Sequence, residues 1–360
     1  MAAPLNVYAG PGALALLKKH GFYPLLFNYF LGASGGPKWF VLAGLDRVLF
    51  PEWFHHRGGQ IQIIGTSAGA FRAACMVQQD PYSAINRLAE QYANTVYSAK
   101  PTANEITEKA RALLSYVMGR EGPMDVITNE RFKIHIIAAR CHGAMASRGR
   151  ITQMRGLLAS AALNAMGRKN LNVLYTRHVF SAPGSRLTIH DPYGLNTESS
   201  ELGYVNVNDA LLASGSIPLV LEGVEKIIAA PQGVYRDGGI IDYHFDLSFG
   251  PDQGLVLYPH FTAKPIPGWF DKRFKGRVPH ASSYRNVVML VPSDEFVASL
   301  PYGKIPDRKD FEKLPADTRI RYWQKVLQET DRLGEYFMKI TQSGQIMDLI
   351  KPLPFALKAD

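Results

Sequence analysis

A serine set between glycines, Gly65-Thr66-Ser67-Ala68-Gly69, follows the apolar run Ile61-Gln62-Ile63-Ile64 and precedes the Ala-rich stretch Ala70-Phe71-Arg72-Ala73-Ala74-Cys75-Met76. A β-type run, then glycine-x-serine-x-glycine, then a helix-forming run is the order that a nucleophile elbow requires. In such an elbow the serine stands on a sharp strand-to-helix turn. Gly65 and Gly69 let the backbone fold back without a Cβ clash, and the free N–H groups at the helix start, Ala68 included, face incoming negative charge. The chemistry this serves is acyl transfer, which also needs a base within hydrogen-bond reach and donors for an oxyanion.

For the donors, the loop Ser34-Gly35-Gly36-Pro37 joins an expected strand end to an expected helix start, so successive N–H groups can point into one concavity. The same loop fails as a phosphate-binding P-loop. Counted from Gly32, Pro37 stands where a glycine must precede Lys38, and Trp39 stands where Ser or Thr must hold magnesium. For the base, Asp237 follows a short apolar run and precedes Gly238-Gly239, which puts a carboxylate on a tight turn at a strand end. Strand ends are where open α/β sheets bind ligands. His135 and His178 fall within strands and read as packed or surface groups rather than catalytic ones. His55-His56 lacks a helical H-E-x-x-H context and two isolated cysteines cannot build a zinc cage, so no metal is expected.

The elements that must position these residues follow from periodicity. Leu25–Leu31 reads as a buried strand, Trp39–Phe50 as a helix with Pro37 near its start, and Ile61–Ile64 as the strand before the elbow. That order, β-loop-α-β-elbow-α, signals a mostly parallel sheet with helices on its faces. Ile85, Leu88, Ala89, Tyr92, Ala93 and Val96 fall on one helical stripe; Ile106, Ala110, Leu113, Leu114 and Val117 form another, and both read as core. Phe132–Ala139 and Leu174–Phe180 look like strands around a helical Ile151–Met166. A helix from Asn208 breaks at Gly215-Ser216-Ile217-Pro218. Strands are expected at Lys226–Ala229, Gly254–Tyr258 and Asn286–Val291, and one long amphipathic helix carrying Ile320, Trp323, Val326, Leu327, Leu333 and Phe337 closes the chain.

With 360 residues, 46% hydrophobic and 20% charged, the chain is an ordinary globular one with material for a large core. Its net charge of +9 favours anionic partners. Only Cys75 and Cys141 are present, so a disulfide framework is implausible and a reducing compartment is the simpler setting. The start lacks a basic leader, and the longest apolar tract, Phe22–Ala33, is broken by Pro24 and Asn28 and is too short to span a bilayer. The expectation is a cytoplasmic protein in peripheral contact with a membrane. Trp269, Phe270, Lys272, Arg273, Phe274 and Lys275 mix aromatics with cations, a composition suited to an anionic lipid surface, or else to a solvated loop with its rings tucked into the core. No nucleic-acid partner is expected.

Taken in order, Ser34-Gly35-Gly36-Pro37-Lys38, Gly65-Thr66-Ser67-Ala68-Gly69, Ala213-Ser214-Gly215-Ser216-Ile217-Pro218 and Asp237-Gly238-Gly239 resemble the patatin-like phospholipases. The resemblance covers roughly residues 25 to 250. It implies a three-layer α/β/α patatin-like fold with a mostly parallel central sheet, and hydrolysis of lipid acyl esters by a Ser–Asp dyad without catalytic histidine, metal or other cofactor. Carried over by position, Ser67 becomes the nucleophile and Asp237 the general base. Gly35 and Gly36 become oxyanion donors, Lys38 takes the place of the family's Arg/Lys, and Ala68 joins the same substrate-binding set. The family prefers three glycines, any residue, then Arg/Lys and Gly; Ser34 replaces the first glycine here and Trp39 the last. Residues 25–250 are the expected catalytic domain, and 251–360 a C-terminal extension packed on it. Two other readings stay open. One is an α/β-hydrolase esterase with a Ser–Asp–His triad, which needs a late histidine such as His260 or His280, although only two strand patterns precede Ser67. The other is a non-catalytic lipid-binding protein that retains the fold. In the dyad reading Asp237 must be poorly solvated to act as a base, so an apolar cleft is expected.

Overall fold

Runs such as Ile61–Thr66 and Val287–Pro292, buried at every position, need cover on both faces, which is the condition of a parallel sheet flanked by helices. The computed structural model, which describes residues 3–250, 254–274 and 276–360, has that arrangement. Lys275, named above as a membrane contact, lies outside the described residues. Along the chain the strands are β1 (Leu5–Ala9), β2 (Phe27–Gly32), β3 (Ile61–Thr66), β4 (Phe132–Cys141), β5 (Tyr175–Ser181), β6 (Thr188–His190) and β7 (Thr197–Glu201). They continue with β8 (Val224–Glu225), β9 (Val234–Asp237), β10 (Ser248–Gly250), β11 (Leu255–Pro259), β12 (Val287–Pro292) and β13 (Ile350–Pro352).

The central sheet has the order β13-β1-β12-β11-β2-β3-β4-β5-β7, with β9 and β8 off this path and β6–β10 a separate ribbon. Its middle, β12-β11-β2-β3-β4, is parallel; β1 on one side and β5 on the other run antiparallel to it. The result is a three-layer α/β/α fold. Parallel neighbours require crossovers, which here are filled by helices. Those used below are α1 (Pro11–His20), α2 (Ala43–Val48), α3 (Ala68–Met76), α4 (Pro81–Ala93), α5 (Ala103–Met118), α6 (Gly122–Thr128), α7 (Arg150–Met166) and α8 (Val207–Gly215). Helices α2 to α5 and α8 pack on one another over the main core. Helix α7 instead neighbours a smaller apolar cluster built around Met145, Leu171 and Tyr175.

Four expectations are corrected. Lys226–Ala229 is a turn: Lys226 and Ala229 take φ of 57° and 60°, Asn206 Nδ2 donates to the Ile228 carbonyl at 3.0 Å, and the strand is Val224–Glu225 just before it. The closing helix is two, Ala316–Glu329 and Asp331–Gln342. It breaks at Thr330 because α2 crosses there: Gly44 N–H donates to Thr330 Oγ1 at 3.1 Å, and a Cβ on Gly44 would lie 1.9 Å from the Thr330 carbonyl oxygen. Three strands, not two, precede Ser67, since Leu5–Ala9 alternates buried and half-buried residues as an edge-side strand does. Val96 lies beyond the end of α4 and is exposed.

Helix α3 is tied to α2 by a buried ion pair. Arg72 donates from Nε and Nη2 to the two oxygens of Asp46 on α2, at 2.7 and 2.6 Å, and both residues are buried. Removing one partner strands a buried charge. Asp46→Ala is expected to lower stability by about 3–5 kcal/mol, read as a fall in the urea midpoint, whereas Asp46→Leu with Arg72→Met removes both charges and regains most of it.

Candidate active site

The register of β4 brings two distant strand ends together. On one edge its first half pairs with β3, ending at Thr66 opposite Ile137. On the same edge its second half pairs antiparallel with β9, ending at Asp237 opposite Ala138. Strands β3 and β9 therefore meet end to end, and the residue after one faces the last residue of the other. Ser67 Oγ donates to Asp237 Oδ2 at 2.7 Å.

Ser67 takes φ 51°, ψ −126°, a conformation that costs a non-glycine residue on the order of 1–3 kcal/mol. The surroundings enforce it. Ser67 N–H donates to Ser214 Oγ at 2.9 Å, and that hydroxyl donates onward to the Ile137 carbonyl at 2.7 Å. Gly69 abuts the end of β2 so closely that a Cβ would lie 1.9 Å from the Gly32 carbonyl oxygen, and a Cβ on Gly65 would lie 2.7 Å from the Ala70 backbone. Asp237 is buried, and its Oδ1 accepts from Gly239 N–H at 2.7 Å. Burial pushes its carboxyl up to about 6; the hydrogen bonds from Ser67 and Gly239, with the charges of Arg308 and Lys272, pull the other way. The group is thus a stronger base than a solvated aspartate and is ionised at neutral pH.

The loop after β2 is bolted beside this pair. Ser34 N–H donates to the Tyr243 carbonyl at 3.1 Å. Its hydroxyl bonds Thr66 Oγ1 at 2.7 Å, and Thr66 in turn donates to the Asp242 carbonyl at 3.1 Å. The Ser34 amide is therefore occupied. Among the described residues no acceptor sits on the N–H groups of Gly35, Gly36 or Ala68, and Gly36 takes φ 55°. Gly35 lines one of the two pockets that meet at Ser67, and Gly36 and Ala68 line the other. Lys38 turns elsewhere: its Nζ lies 3.5 Å from Asp307 and over the Phe261 ring, and it is not among the residues around the Ser67 cavity.

That cavity, about 230 Å³, opens on Ser67 and Asp237 between apolar walls that include Leu157, Ile217, Val220 and Ile240. A second pocket meets it at Ser67 and Ile217, walled by Ala68, Phe71, Tyr92 and Leu113, and it also takes in the half-buried Ile106 and Ala110. Two cations line the first cavity. Lys272 Nζ sits 4.1 Å from the Tyr243 ring centre; the cover around that amine, with repulsion from Lys38 and Arg308, lowers it to about 8. Arg308 reaches over Gly36, the nearest of its guanidinium nitrogens 3.9 Å from where a Cβ would stand. Sequence reasoning missed Ser214 and Arg308. The first stood inside a quoted motif with no assigned task, and the second had no local signal at all. Among the described residues no histidine touches the Ser–Asp pair: His260 Nδ1 is held by the Thr262 backbone and His280 Nδ1 by Asp246. Among the described residues no cluster of three or more His, Cys, Asp or Glu could hold a metal ion.

No family model matches the sequence, and no curated protein matches it. Among solved structures it is similar to the heterodimeric ExoU–SpcU complex from the type III secretion system of Pseudomonas aeruginosa, at 12% identity and a TM-score of 0.31. The match covers 95% of this chain and 55% of that one, so this chain spans about half the length of that neighbour.

The raised Asp237 carboxyl has a stability consequence. Folding holds this proton more tightly than the ordinary value of 3.8 allows, so the associated stability is complete below that value and is lost as pH rises through about 6. Asp237→Asn removes the buried charge. The variant is expected to be more stable than the parent near neutral pH, by roughly 2–3 kcal/mol, with the gap in urea midpoint closing as pH falls toward about 4.

Proposed function

We propose that the chain is a serine carboxylic-ester hydrolase acting on lipid acyl esters, of the phospholipase A or lysophospholipase type. The observation that carries the reading is the 2.7 Å contact between Ser67 Oγ and Asp237 Oδ2 on the floor of an apolar cavity. The resemblance of its four ordered motifs to patatin-like phospholipases points the same way.

In this reading Ser67 Oγ attacks the ester carbonyl while Asp237 takes its proton. The Gly35, Gly36 and Ala68 N–H groups stabilise the oxyanion. As the tetrahedral carbon collapses, its bond to the alcohol oxygen breaks and the proton on Asp237 passes to that leaving group. Water then cleaves the acyl-serine with Asp237 again as base, returning the hydroxyl to Ser67. The apolar walls hold the acyl chain. Lys272 and Arg308, at the same cavity, suit an alcohol carrying an anionic phosphoryl group. No helix among the described residues is long and apolar enough to cross a membrane. The aromatic and basic segment at Trp269–Phe274 is the expected peripheral contact.

A fluorophosphonate probe, followed by mapping of the modified residue, tests the assignment. Labelling is expected at Ser67 and is lost in Ser67→Ala together with at least roughly 10³-fold of kcat; modification at another serine would overturn it. The pH profile of kcat/KM should rise with an acid limb near 6 and no second ionisation assignable to a histidine. Arg308→Gln should raise KM for a lysophospholipid about tenfold and leave that for an uncharged monoacylglycerol within about twofold.

A further inference from the structure

Helix α7 is inside out. Its buried positions are Gln153, Gly156, Ser160 and Asn164, while Ile151, Met154, Leu158 and Met166 are 69%, 49%, 72% and 80% exposed. At 3.6 residues per turn the exposed residues form one stripe, continued by Ala161 and Ala162 and about 22 Å long. The rotation of the helix is fixed by three polar side chains on its buried face, each hydrogen-bonded to a neighbouring element. Gln153 Oε1 accepts from Leu219 N–H at 3.2 Å, Ser160 Oγ bonds Tyr175 Oη at 2.7 Å, and Asn164 Nδ2 donates to Asp271 Oδ1 at 2.7 Å. Turning Ile151, Met154 and Leu158 inward would orphan all of these groups.

Asp271 joins this helix to the aromatic and basic turn beside it. The carboxylate is buried and also takes Arg168 Nη1 at 2.5 Å, Arg277 Nη1 at 2.6 Å and Gly268 N–H at 2.9 Å. The one acid of the 269–274 turn is thereby withdrawn from the surface, where Trp269, Lys272, Arg273 and Phe274 are exposed. Helix α7 holds Arg150 and Arg155 and no acid. Leu157 from α7, with Trp269 and Lys272 from the turn, lines the Ser67 cavity, so this platform forms part of its wall.

We infer that the exposed face of α7, together with the 269–274 turn, is a docking surface for an anionic phospholipid bilayer, with the Ser67 cavity opening onto the membrane. Charge selects the occupant: an apolar stripe bordered by arginine and lysine and without a surface carboxylate of its own complements anionic headgroups over acyl chains. Continuity with the cavity gives the same answer, since an acyl chain leaving the bilayer there enters without crossing water. In that respect the inference builds on the acyl-hydrolase reading, but docking is measured apart from catalysis.

The full chain carrying Ser67→Ala, which cannot consume the lipid, is sedimented with vesicles of phosphatidylcholine alone or mixed with phosphatidylglycerol. Binding is expected to the mixed vesicles and to weaken with salt. Ile151→Gln with Leu158→Gln should weaken it at least about tenfold, while thermal unfolding and, in the Ser67 parent, hydrolysis of a short soluble ester stay unchanged. Arg155→Gln with Arg273→Gln should abolish the preference for phosphatidylglycerol. Failure of the Ser67→Ala chain to bind either vesicle, or undiminished binding by the Ile151/Leu158 variant, overturns the inference. So does a concentration-dependent dimer that the same two substitutions dissolve, which would assign the stripe to a second copy of the chain. Vesicle binding without labelling of Ser67 keeps the docking surface and removes the esterase reading; labelling without vesicle binding does the reverse.

Discussion

Two strands ending head to head on one edge of β4 are the constraint from which the rest of the site follows. A parallel strand delivers its C-terminal residue to one end of the sheet, and an antiparallel strand approaching from the other direction delivers its own to the same point. Thr66 opposite Ile137 and Asp237 opposite Ala138 occupy successive rungs. The backbone ladder, not any attraction between the side chains, therefore sets the separation of hydroxyl and carboxylate. Ser214 reinforces the junction by joining the Ser67 amide to the Ile137 carbonyl through one hydroxyl. A bond of 2.7 Å is cheap to maintain when covalent geometry and sheet register already place both partners.

The same placement stores unfavourable free energy. A strained Ser67, a desolvated carboxylate and amides left without acceptors in Gly35, Gly36 and Ala68 each oppose folding locally. The large apolar core offsets them. Destabilised groups gathered at one cavity, in a fold otherwise consistent with its local preferences, are the usual mark of a site shaped by something other than stability.

Local pattern made much of the fold legible. The strand, elbow and helix from Ile61 to Met76 were readable because residue types there agree with both periodicity and turn geometry, and the same holds for the all-apolar core of β12. What escaped was tertiary in origin. Nothing in the apolar spacing of Ile320 to Phe337 reveals that Gly44 crosses at Thr330, and Ile227-Ile228-Ala229 has strand composition but is bent by Asn206 from elsewhere in the chain. Strand β1 is short, and its half-polar alternation gave little to read. Within the site, Ser67 and Asp237 lie 170 positions apart, so no local rule connects them; only the order of the four motifs hinted at it. Arg308 comes from a loop with no periodicity, and its nearness to Gly36 exists only once the chain is folded.

Strand β11 sits between β2 and β12 although it is made long after β2. On the ribosome, the free edge of β2 waits for about 220 further residues, roughly ten to forty-five seconds at ordinary elongation rates. Throughout that interval a row of unpaired amides and carbonyls, bordered by Phe27, Tyr29 and Phe30, is open to any other extended chain. Biosynthesis of this protein is therefore exposed to non-native strand pairing at an edge that the finished sheet, with β11 paired to β2, no longer presents.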